Sequence, residues 1–82
     1  MRRCLMGTAR CKAQTVCYYL LVEELESGTE AYGVSVECGG EREARRRLTV
    51  SGRSVLGLIR RLIQGGVTPV ALGDVVEDWL LR

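Results

Sequence analysis

The sequence of 82 residues contains no histidine and no phenylalanine, and only one proline, one tryptophan and one lysine. The missing histidine removes the commonest general base and the commonest metal ligand together. No run approaches the ~18–20 apolar residues that cross a bilayer, which excludes a transmembrane helix. The apolar run at 16–22 follows a basic segment but is short, ends at Glu23 and Glu24, and lacks a small-x-small cleavage site. A secretory signal is therefore not expected, and a cytoplasmic location is. Met1 and Met6 both stand as candidate start positions.

Four cysteines occur, Cys4, Cys11, Cys17 and Cys38, with six, five and twenty residues between them. None forms a C-x-x-C pair, and no histidine is present to complete a zinc site. Disulfides need an oxidising compartment, so none is expected, and Cys17 reads as a small buried apolar residue. No G-x-G-x-x-G, Walker A, G-x-S-x-G or H-E-x-x-H pattern is present. Glu23 and Glu24 are adjacent on an expected strand and point to opposite faces, so they form no catalytic dyad. Asp74 and Asp78 share one helix surface and read as a solvated face rather than a cation site. With no nucleophile paired to a base, the chain is not expected to be an enzyme, and no cofactor or metal is expected.

Hydrophobic residues make up 46% of the chain and the mean hydropathy is +0.04, which fits a globular protein rather than a disordered one. A chain this short buries only about 60–65% of its unfolded surface, so it holds one domain of modest stability. The net charge of +2 names no partner, but the charges come in blocks. Arg2, Arg3, Arg10 and Lys12 precede position 23 with no acid among them. Six glutamates and no base occupy 23–41; seven arginines against Glu43 occupy 42–61. Asp74, Glu77 and Asp78 then dominate the last segment. Such alternation suits neighbouring elements whose outer faces pair by sign.

Residues 1–15 have no periodicity and read as a flexible basic tail, leaving 16–82 as the folded domain. The first expected strand, 16–25, is apolar on both faces: Tyr18, Leu20 and Val22 on one, Cys17, Tyr19 and Leu21 on the other. A strand of that kind sits centrally in its sheet or is covered on both sides, and Tyr18 or Tyr19 can also meet another subunit. Ser27-Gly28 marks a turn. The second strand, 31–37, alternates cleanly, with Tyr32, Val34 and Val36 on one face; Gly33 within it implies a bulge or the close approach of another group. Gly39-Gly40 is the next turn. The third strand, 42–50, is apolar only at its end and reads as an edge strand; a short helical turn at 43–46 is the alternative. Arg45, Arg46 and Arg47 then discourage unwanted edge pairing, a reading favoured over a nucleic-acid patch.

Two helices follow. Ser51 is an expected N-cap, and Val55, Leu58, Ile59, Leu62 and Ile63 form one apolar stripe closed by Gly65 as a left-handed stop. Thr68 caps the second helix, with Pro69 at its first position and Val67 and Leu72 as a hydrophobic staple. Leu72, Val75, Val76, Trp79 and Leu80 form its stripe, with Asp74, Glu77 and Asp78 outside. The expected fold class is α+β: an antiparallel β-hairpin or three-stranded meander followed by two amphipathic helices packed on one sheet face, β-β-β-α-α.

Tyr-Tyr-Leu-Leu-Val at 18–22, Tyr32-Gly33-Val34, and the closing segment VTPVALGDVVEDWL at 67–80 resemble a family of small bacterial, mainly clostridial, proteins of unknown function. The resemblance covers about three-quarters of the chain and omits the first residues. It implies a bacterial cytoplasmic protein and brings no catalytic residues with it. GGVTPVALGDVV also has the look of a helix-turn-helix, but a reading helix would carry Asp74, Glu77 and Asp78 toward phosphates, and Leu62 stands where a small residue is normal. The expected function is a non-catalytic protein–protein interaction or regulatory module, with an unknown protein or a second copy as partner. The alternative is a nucleic-acid-associated protein using the basic block 42–61, and no membrane partner is expected. Tyr18, Tyr19, Arg45, Arg46, Arg47, Asp74, Glu77 and Asp78 are the candidate interaction residues.

Overall fold

The computed structural model describes residues 1–82. It contains strands β1 (Arg2–Cys11), β2 (Gln14–Glu24), β3 (Glu30–Cys38) and β4 (Glu41–Thr49), then helix α1 (Gly52–Gln64), a 3-10 turn (Pro69–Ala71) and helix α2 (Leu72–Leu80). The four strands form one antiparallel sheet in the order β1-β2-β3-β4. The α+β expectation of a hairpin or three-stranded meander is therefore corrected: the sheet has four strands. The added one lies in residues 1–15, expected as a flexible tail.

The physical reason is visible in β1. It is an edge strand, exposed along most of its length. Where it meets the helix layer it carries Gly7, Ala9 and Cys11 rather than β-branched residues, because α1 lies close above it. A Cβ at Gly7 would stand 2.6 Å from Ile63 Cδ1. Its turn into β2 uses Lys12 at φ 58, a left-handed position that no glycine or asparagine announces. Neither the periodicity nor the turn chemistry that normally marks a hairpin is present.

The central strands follow their sequence. Val16, Tyr18, Val34 and Val36 face the helices and are fully buried with Val55, Leu58, Leu62 and Leu72. β2, apolar on both faces, lies between β1 and β3. The turn at Gly39-Gly40, with φ 57 and 89, matches the paired left-handed positions of a two-residue hairpin. At the scale of ~0.05–0.15 kcal/mol per residue, total stability is only about 4–12 kcal/mol. Truncating one buried leucine costs ~2–5 kcal/mol, a large share of that.

Helix α1 begins as expected, with Ser51 Oγ accepting from the Ser54 amide at 3.2 Å. Its end is shifted by one residue. Gly65 is right-handed, and Gly66, at φ 57, makes the stop. The Gly66 amide donates to Ile63 O and the Val67 amide to Leu62 O, the paired bonds of a Schellman ending. Thr68 is extended and Pro69 opens the next element, but no threonine side-chain cap bond forms, and a 3-10 turn precedes α2. Leu72 and Val76 are buried, whereas Leu80 is 55% exposed and leaves the expected stripe. Trp79 still packs against the core, and at about 100° per residue Leu80 lies about 80° round the helix from Leu72, at the margin of the buried face.

Gly33 is placed as its strand position implied. β4 bulges opposite it: Tyr32 pairs with Thr49 and Val34 with Arg45, so Gly33 alone faces three residues. The bulge folds over the strand, and a Cβ on Gly33 would collide with the Arg45 carbonyl oxygen. Gly33→Ala is thus expected to destabilise by about 2 kcal/mol or more. Gly57→Ala, in open space on α1, is expected to stabilise by ~0.5–1 kcal/mol, as urea denaturation of both variants will measure.

Candidate interaction surface

Register assigns the residues of the face that α1 and α2 leave uncovered. Cys17, Tyr19, Leu21 and Glu23 on β2 alternate with the core residues of that strand. Their partners are Thr8, Leu5 and Arg3 on β1 and Glu37, Ser35, Gly33 and Ala31 on β3. Arg42 and Ala44 extend the face onto β4. Its floor is small or apolar, and Leu21 and Ser35 are buried although no helix covers them. Long charged side chains stand on the same face and meet in ion pairs.

Two clusters do so. Glu23, its side chain only 13% exposed, accepts from Arg46 Nε and Nη2 at 3.1 and 2.8 Å and from Arg47 Nε and Nη2 at 2.9 and 2.6 Å. The β4 bulge makes this double contact possible. Arg47 has φ 52, a left-handed conformation unusual for a side-chain-bearing residue, and successive arginines reach one carboxylate instead of alternating. At the other end, Glu37 pairs with Arg3 and lies 3.7 Å from Arg42. Arg3 stacks over Tyr19, with Cζ 4.3 Å from the ring centroid, an attraction of ~0.5–1 kcal/mol at an exposed site.

The face therefore carries Arg3, Arg10, Arg42, Arg46 and Arg47 against Glu23 and Glu37, a net charge of +3. Ser35 Oγ, in the floor between the clusters, is buried without a hydrogen-bond partner. A depression of about 310 Å³ at the β3–β4 hairpin is lined by Cys17, Cys38, Glu37 and Arg42 among others. Cys38 Sγ donates to Gln14 Oε1 at 3.3 Å, and all four thiols are free. No three Cys, Asp or Glu side chains converge as metal ligands would.

The candidate residues from the sequence separate in space. Tyr18 is fully buried, and its hydroxyl donates to Val67 O at 2.9 Å, tying the sheet to the loop between the helices. Burial raises its pKa, with Cys11 and Cys38 adding to the effect. Tyr18 is a core residue and offers nothing to a partner. Tyr19 lies on the open face. Arg46 and Arg47 are together there, but Arg45 is turned to the helix side, bonding Glu43 and Ala44 O near Gly73. Asp74, Glu77 and Asp78 are exposed on α2, where Asp78 accepts from Arg82 at 3.0 Å and lies 3.7 Å from Arg61. The basic block 42–61 is thus divided between the open face, the helix side and α1, and forms no single patch. Arg3 and Glu23 were not among the candidates; the opposed signs of the blocks at 1–22 and 23–41 were the available signal.

Hydrogen bonds from Arg46 and then Arg47 lower the Glu23 pKa from 4.5 to about 2. A depressed carboxyl pKa contributes stability that is present above the unfolded value and lost as pH falls toward the folded one. Stability should therefore decline between pH 4.5 and 2. In Glu23→Gln that decline should be shallower and the starting stability at neutral pH lower, as thermal melts across the pH series will show. Tyr18→Phe is expected to cost about 1–2 kcal/mol at all these pH values, because it leaves Val67 O without its donor.

No helix is long and apolar enough to cross a membrane. Comparison with curated proteins and with solved structures gives no match. The sequence does match a family model, described as a family of unknown function (DUF6514), over residues 3–82. That match runs from β1 through α2 and covers nearly the whole chain, so the protein belongs to the DUF6514 family.

Proposed function

We propose that the protein is a non-catalytic interaction module that binds a partner protein through the open face of its sheet. The observation that supports this is the one-sided helix layer: Leu5, 57% exposed, and Tyr19 stand between two ion-pair clusters on a face no helix covers. Apolar and aromatic groups at the centre with arginines around them match the anatomy of a protein interface. The face spans four strands of about nine residues, roughly 600 Å² at ~4.8 Å between strands and ~3.3 Å per residue. Both partners together would bury ~1,200 Å², the lower edge of specific interfaces, which suits a regulatory contact more than a permanent one. The reading takes the chain as a bacterial cytoplasmic protein, as the resemblance of its closing segment implies.

The test places bulk on each candidate surface in turn. A partner recovered from the native host is identified, purified and titrated against variants of the full chain. Ala44→Trp, on the exposed edge of the open face, should weaken binding at least about tenfold. Glu77→Lys on α2 should leave it unchanged. The reverse pattern would move the interface to the acidic face of α2 and overturn the reading.

A further inference from the structure

We infer that the occupant of the open face is an extended acidic segment of a partner protein, its carboxylates received by Arg46–Arg47 at one end and Arg3–Arg42 at the other. The inference rests on the open face being the binding face and goes beyond it in naming the chemistry of the partner.

The arginine clusters are built to take more anion than the chain supplies. Each guanidinium has five N–H donors in a rigid fork. Arg46 and Arg47 each spend two on Glu23, and their side chains remain 55% and 61% exposed. Two cations share one carboxylate, leaving a net positive charge held in place. The second cluster repeats the pattern, with Arg42 63% exposed and only 3.7 Å contact to the Glu37 it shares with Arg3. Glu23 pairs with Ala31, six residues along β3 from Glu37. At ~3.3 Å per residue the two clusters lie about 20 Å apart. An extended peptide spans that distance in about six residues and can pass Tyr19 and Leu5 between them.

Charge opposes a second copy docked face to face, since two faces of net +3 would meet, and the exposed acids of α2, with Asp78 already paired to Arg82, lie on a helix rather than on an extended segment. A single-stranded nucleic acid shares the right charge, but it needs aromatic platforms for its bases. This face has only Tyr19, whose ring Arg3 already covers at 4.3 Å. A flat four-stranded surface also does not enter a duplex groove as a helix or two-stranded ribbon does. Planar carboxylates, which guanidinium forks bind in bidentate fashion, fit what remains.

The experiment titrates the full chain, by fluorescence anisotropy, with a labelled peptide of about twelve residues carrying two Glu-Glu pairs about 20 Å apart when extended. A counterpart with Gln at those positions and an oligothymidylate of equal length are measured at the same salt, about 50 mM. The Glu peptide should bind at least about tenfold more tightly than the Gln peptide, and more tightly than the oligonucleotide. Arg46→Gln/Arg47→Gln should lose about tenfold, and Arg46→Lys/Arg47→Lys should recover only part of that loss, since it restores charge without the fork. Arg42→Gln, which breaks only one long contact, should lose several-fold with an unchanged melting temperature, so a folding defect cannot account for it. Equal affinity for the Glu and Gln peptides, no effect of Arg42→Gln and the double variant, or tighter binding of the oligonucleotide would each overturn the inference. A recovered partner that Ala44→Trp releases, combined with no preference for the Glu peptide, would refute the acidic segment and leave the open-face reading standing. A partner indifferent to Ala44→Trp would remove the open-face reading itself.

Discussion

Helices α1 and α2 cover one face of the sheet, and the other face must be closed by the side chains that stand on it. That constraint governs much of the composition. A floor of Leu21, Gly33 and Ser35 is shallow enough for long side chains to lie across it. Arg3 on β1 reaches past β2 to Glu37 on β3, and Arg46 and Arg47 on β4 reach past β3 to Glu23 on β2. Each of these spans crosses two strand spacings, roughly 9–10 Å, which short polar residues cannot do. The edge strands therefore supply the arginines and the inner strands the glutamates. A guanidinium is well suited because it lies flat, stacks on Tyr19 and donates two bonds in one plane.

The blockwise charge of the sequence is the linear image of this arrangement. Basic residues cluster in β1 and β4, and β2 and β3 carry the acids they reach. Opposed signs in successive segments are legible in the order of residues alone, and so are the two helices, the central place of β2 and the edge character of β4. Each of these rests on a strong local signal: an apolar stripe, a doubly apolar strand, or a charged run ending in a few apolar residues. Gly33 is legible as a position needing room, although nothing in its neighbours along the chain says that the Arg45 carbonyl fills it.

What escapes the sequence has a common cause. β1 is held by backbone pairing and by small residues under α1, so its burial leaves no hydrophobic period. The β4 bulge breaks alternation, so parity places Arg45 with Arg47 and Arg46 apart from them, whereas the fold joins Arg46 with Arg47 and turns Arg45 away. Tyr18 and Tyr19 are adjacent and chemically alike, yet one is sealed under the helices by its bond to Val67 and the other lies under Arg3. In each instance tertiary contact, not local propensity, decides the outcome.

The bulge also bears on the energetics of this face. A left-handed residue other than glycine costs roughly 1–2 kcal/mol, and Arg47 is held in that conformation at φ 52. The ion pairs that Arg46 and Arg47 make with Glu23 return part of that cost, but the arginines remain more than half exposed, where water already solvates their charge. Ser35 adds a second expense, a buried hydroxyl with no partner. A face selected for stability alone would relax Arg47 to glycine and Ser35 to alanine. Both features cost stability in a chain with few kcal/mol to spare, and the proposed binding of a partner to this face would give them a use.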